Sequence, residues 1–144
     1  MSLQTPPGAR TYQNVRVQVL PFNSSLTPVG LVMQLFSRHT DGILLQLPNA
    51  TGGDLDTTAT ISSDGETLVV TVANLNAVGW FAYEVALQLN GWKGTKAGTT
   101  VTLEAEGYGE TDMFNRSAGS AAVVGGATQL RIPPFSVVQA TFAA

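Results

Sequence analysis

Ten Asp and Glu residues, one histidine and no cysteine limit the chemistry open to this 144-residue chain. Without cysteine there are no disulfides, thiolate metal sites or cysteine nucleophiles. The single imidazole, His39, rules out any metal site that needs two. Glu104 and Glu106 are the best-spaced carboxylates. On one strand they share a face with backbones about 6.6 Å apart, near the roughly 5–5.5 Å between the two carboxyls of a retaining glycosidase. A strand face ending in the Gly107-Tyr108-Gly109 loop is ordinarily a wet face, however, and a general acid needs a pocket that raises its pKa. Asp54 and Asp56 are candidate calcium ligands, but the further acids and fixed glycine of an EF-hand loop are missing. His39 has no fixed partner in the sequence. It follows Arg38 at the end of a helical segment, where a positive charge suits the helix dipole. No serine sits in a nucleophile elbow, and there is no phosphate loop. We therefore expect no catalytic residue, no metal and no cofactor in this chain.

Aromatic residues offer binding rather than catalysis. Trp80, Trp92 and Tyr108, with Phe81 beside Trp80, form a candidate sugar-stacking set. Trp80 and Trp92 each follow a glycine at a loop–strand junction. The competing reading has these rings capping the core or facing a neighbouring domain. Sequons at Asn23, Asn49 and Asn115 would matter only in a eukaryotic secretory pathway.

The elements that must position these residues are mostly strands. Asn14 to Leu20 alternates Val15, Val17 and Val19 with polar residues, a strand with one wet face. Thr27-Pro28 then opens a helix: threonine can cap and proline suits the first helical position. Val29, Val32, Met33 and Phe36 fall at i, i+3, i+4 and i+7, an apolar stripe closed by Asp41-Gly42. A strand through Leu31 to Phe36 is the competing reading. From residue 43 onward the signals are all β. Strands are expected at 43–47, 57–62, 66–74, 83–89, 100–105, 128–132 and 136–142. Asp64-Gly65 marks a hairpin turn. Short strands at this spacing predict an all-β antiparallel sandwich or barrel with one short helix near the N-terminus.

Composition supports one folded domain. Hydrophobic residues make up 44% and charged residues 12%, against roughly 25% charged in ordinary soluble domains. The net charge of −3 and seven scattered Lys and Arg argue against a nucleic-acid partner. No stretch approaches the roughly 18 apolar residues of a membrane span. Met1-Ser2-Leu3-Gln4 lacks the basic and apolar regions of a signal peptide. The localisation stays open, because the chain could equally be a piece whose targeting signal lies elsewhere.

Three segments, in order, resemble a known family. Thr27 to His39 (TPVGLVMQLFSRH) resembles the "TPxxxVFxLFxxH" helix that closes the catalytic barrel of family 51 α-L-arabinofuranosidases. Leu68 to Asn74 (LVVTVAN) is similar to a strand of their C-terminal domain. Asp112-Met113-Phe114-Asn115 and Leu130 to Val138 (LRIPPFSVV) resemble its "xNTFxxP" turn and "xLPPxSVxVLxL" ending. The resemblance covers about residues 27 to 142. The turn departs from it, with Ser117-Ala118-Gly119 in place of the usual proline, and Trp80-Phe81 has no counterpart. What it implies is a non-catalytic accessory domain, an antiparallel jelly-roll-like β-sandwich packed on a barrel. The family's catalytic glutamates lie before the Thr-Pro helix, and no position here matches them.

On that reading residues 1–42 are an entry segment, a strand and the last barrel-type helix, and residues 43–144 are the sandwich. The catalytic barrel of the parent chain is then the expected partner, with polysaccharide as a second one. The stripe Val29, Val32, Met33 and Phe36 is the candidate domain interface. Leu31 and Leu35 lie off that stripe and are expected to lack cover. Their exposure predicts a weak homodimer, or a repacked segment 13–20 lying over them.

Overall fold

The computed structural model describes residues 28–47, 54–76, 81–105 and 115–144. The expected strand at 14–20 lies outside them. The helix α1 spans Pro28–Phe36 and tightens into a 3-10 turn at Ser37–His39. The strands are β1 (Gly42–Leu44), β2 (Leu55–Ser62), β3 (Thr67–Asn74), β4 (Tyr83–Gln88), β5 (Gly98–Glu104), β6 (Asn115–Ala121), β7 (Ala127–Ile132) and β8 (Ser136–Ala143). All named pairings are antiparallel. They form a six-stranded sheet, β1-β2-β3-β8-β5-β6, and a two-stranded sheet, β4-β7. The result is an all-β sandwich with one short helix, as the alternation predicts.

Register explains which side chains are inside. Leu68, Val70 and Val72 of β3 pair with Phe142, Ala140 and Val138 of β8. Directly opposite residues share a face, so these six form one apolar layer. Leu130 and Ile132 of β7 cover it from the smaller sheet, and Leu89 joins them beyond the end of β4. Phe142 and Ile132 are wholly buried. Within the large sheet, Gly98 of β5 lies against Phe142 of the neighbouring β8 without room for a side chain: a Cβ there would stand 2.5 Å from the Phe142 ring.

The opposite face of the large sheet carries polar side chains under the helix. Thr60, Thr71 and Gln139 are all buried there. Thr60 pairs with Val69, and Thr71 with Gln139. Leu35, 5% exposed, is the helix residue that packs inward. This corrects the expectation that Leu35 lacks cover: the sandwich itself buries it. Met33, at 57%, and Phe36, at 37%, face outward instead. The apolar stripe therefore does not mark the sandwich side of α1. Leu31 and Val32 are half-buried.

One strand was absent from the sequence reading. β6 (NRSAGSA) shows no apolar alternation, and its residues are exposed except Ala121. It forms because β5 offers a free edge that pairs with it over seven residues.

Candidate domain interface

The site is built around His39. Its Nδ1 lies 2.7 Å from Thr60 Oγ1 and its Nε2 lies 2.8 Å from Thr71 Oγ1. The Gln139 side-chain amide donates to Thr71 Oγ1 at 3.0 Å and to the Leu35 carbonyl at 2.8 Å. One chain of hydrogen bonds thus runs from the helix backbone through β8 and β3 to the 3-10 turn and on to β2. The Leu35 carbonyl gains a partner that the end of the helix does not supply. His39, without a fixed partner in the sequence, has two in the fold. Burial pushes its pKa below the ordinary value of 6.5, which favours the neutral ring. A positive charge serving the helix dipole is therefore not its role.

Around this buried network the surface is apolar. The Phe36 ring lies 5.7 Å from the His39 ring, centroid to centroid. Leu44 is the register partner of Thr60 and shares its face. Met33 precedes Phe36 by one turn on the same side of α1. Met33, Phe36 and Leu44 are all exposed. Of the candidate interface residues, Met33 and Phe36 thus present apolar surface and Val32 is half-buried. The Val29 side chain lies outside the described residues.

The candidate sugar-stacking residues are placed less completely. Trp80 and Tyr108 lie outside the described residues. Trp92 is half-buried and packs on the core cluster. Its indole lies against the bare backbone of Gly94, where a Cβ would stand 2.5 Å from Nε1. Nε1–H itself is buried and donates to no partner among the described residues. The ring also lines an apolar pocket of about 260 Å³, with Leu45, Leu47, Ile61, Leu68 and Leu87. Phe81, beside position 80, is exposed.

Glu104 is half-buried at the end of β5, in register with Asn115 and Ser136, and Glu106 lies outside the described residues. Asp54 accepts hydrogen bonds from the Tyr83 hydroxyl at 2.6 Å and from the Asn76 amide at 3.1 Å. Asp56 is exposed on β2. Among the described residues no group of three potential ligands could hold a metal ion. Asp54 instead braces β4 to the start of β2, a role that residue type alone did not reveal.

The fold has known counterparts, and they are glycoside hydrolases. An α-L-arabinofuranosidase from Thermotoga maritima, solved with arabinose, superposes with a TM-score of 0.54 at 23% identity. The match covers 63% of this chain and 19% of that one. Another arabinofuranosidase matches with a TM-score of 0.61 at 22% identity, over 81% of this chain and 29% of its own. A family 30 endoxylanase from Clostridium papyrosolvens matches at 0.58 and 15% identity, over 78% and 27%. This chain therefore spans less than a third of each of these structures, and its fold is one domain within those larger chains. No protein-family model and no curated sequence matches it.

Proposed function

We propose that this chain is the non-catalytic accessory sandwich of an α-L-arabinofuranosidase, and that it stabilises a catalytic barrel. The observation that carries this reading is the apolar surface of Met33, Phe36 and Leu44. It is exposed, yet it is fixed to the sandwich through Leu35, His39 and Gln139. An apolar patch held this rigidly is what a packing partner requires. In this reading α1 is the helix that continues a barrel's outer ring, consistent with the resemblance of residues 27–39. The parent enzyme acts on arabinose-containing plant polysaccharide. Sandwich and barrel together then make the functional unit, in jelly-roll and barrel layers.

The test is activity. The pure chain should not hydrolyse an aryl α-L-arabinofuranoside. Turnover that disappears in Glu104→Gln or Glu106→Gln would refute the proposal.

The exposure of Phe81 favours a second reading, an independent carbohydrate-binding module that uses Trp80, Trp92 and Tyr108. Retardation of the chain in gels containing arabinan or arabinoxylan, lost in Trp80→Ala, would support it over the first.

A further inference from the structure

We propose that His39 is a pH-operated clasp: the neutral ring holds α1 and its 3-10 turn on the sheet, and uptake of a proton releases them. The inference rests on the described packing of this chain and stands whether or not a barrel is the partner.

The hydrogen-bond inventory forces the choice of ring state. A neutral imidazole donates from one nitrogen and accepts at the other, whereas the imidazolium donates from both. Thr71 Oγ1 already accepts an N–H from Gln139, 3.0 Å away. Its own hydrogen can then go to His39 Nε2, leaving Nδ1–H to donate to Thr60 Oγ1. Both ring nitrogens, the Thr71 hydroxyl and both N–H groups of the Gln139 amide have partners in that state. A proton on Nε2 makes Thr71 Oγ1 accept twice and takes His39 away as the acceptor of its hydrogen. The charged ring would also sit close to the positive end of the Gln139 amide. Thr71 and Gln139 are 1% and 2% exposed, so water does not compensate easily.

Among the described residues, the strands packed under the ring place no carboxylate beside it. On the His39 side, β3 presents Thr67, Val69, Thr71 and Ala73, and β8 presents Val137, Gln139 and Thr141. None of these is acidic. β1 adds Gly42 and Leu44. On β2 the nearest acid of this face is Asp56, four residues from Thr60. That is about 13 Å along a strand, beyond the ~8 Å screening length in physiological salt. Next to His39 in the chain, Arg38 is exposed and repels a second charge, and Asp41 is exposed. His39 is also the sole histidine of the sequence. Side chains other than histidine ordinarily hold their charge between pH 5 and 8, so a transition there reports on this ring.

The experiment is amide hydrogen exchange on the full chain between pH 7.5 and 5.5, with intrinsic rates divided out. It is run on wild type and His39→Gln and paired with an NMR titration of the one histidine ring in wild type. Protection of residues 30–40 should fall severalfold by pH 5.5 while β3 and β8 amides hold. The ceiling is about tenfold, the limit in which only the released ring, titrating at its ordinary 6.5, takes up the proton. The ring should titrate below that value, and His39→Gln should remove the pH-dependent part. Three results would each overturn the clasp: an ordinary ring midpoint, wild-type protection independent of pH, or the same pH dependence in wild type and variant.

Discussion

Gln139 and Leu35 stand 104 residues apart in the chain and meet across 2.8 Å, the side-chain amide of one donating to the backbone carbonyl of the other. Both residues are buried, so neither group has easy access to water. Replacing Gln139 by Leu keeps the volume but leaves the Leu35 carbonyl without this donor. We expect a loss of about 1–3 kcal/mol in unfolding free energy, the usual cost of one buried unsatisfied group. Denaturant melts of wild type and Gln139→Leu measure it, and an unchanged midpoint would show that the helix does not depend on this bond.

Gly98 has no substitute. Its missing Cβ would lie 2.5 Å from Phe142 Cδ1 and 3.0 Å from the Thr141 carbonyl, so Gly98→Ala must push β5 away from β8 or turn a wholly buried ring. A destabilisation of about 1–3 kcal/mol follows from such overpacking. Thr99→Ala, one residue along and exposed, serves as the control and should lie within about 0.5 kcal/mol of wild type.

Trp92 separates a structural ring from a binding one. If it closes the sandwich, Trp92→Ala should cost about 3–5 kcal/mol, as large aromatic truncations in a core do. Thermal melts would show this loss. A variant of unchanged stability that no longer binds polysaccharide would instead assign the ring to sugar.

Tyr83 gives a prediction at high pH. Its hydrogen bond to the Asp54 carboxylate holds the phenol above its ordinary value of 10.0. A raised folded-state pKa means that the contribution to stability is complete below about pH 10 and is lost as pH rises through the raised value. The ultraviolet titration should therefore contain one late tyrosine, absent in Tyr83→Phe and shifted back down in Asp54→Asn.

Much of this architecture is legible in the residues. Leu68 to Val72 announces a buried strand by alternation alone, and Asp64-Gly65 places the turn before it, where Gly65 N–H donates to the Ser62 carbonyl. The orientation of α1 was not legible. A stripe of strong hydrophobes says which side of a helix avoids water, but not whether the sandwich or something else supplies the cover. Here Leu35 turns inward and the stripe's Met33 and Phe36 do not. His39 was silent for a different reason: its partners Thr60 and Thr71 are 21 and 32 residues away, and nothing in a threonine's local sequence announces that it faces an imidazole. β6 lacked a signal because a pairing edge, rather than its own Ser- and Gly-rich residues, makes it a strand.

In the proposed role, the Met33, Phe36 and Leu44 surface receives a catalytic barrel. The most direct measurement is the thermal midpoint of a family 51 arabinofuranosidase barrel lacking its own sandwich, taken with and without this chain. Wild type should raise the midpoint and coelute with the barrel, and Met33→Glu/Leu44→Glu should do neither; both positions are exposed, so their change should leave the sandwich folded. An equal effect of wild type and variant, or no effect of either on the barrel, would contradict it.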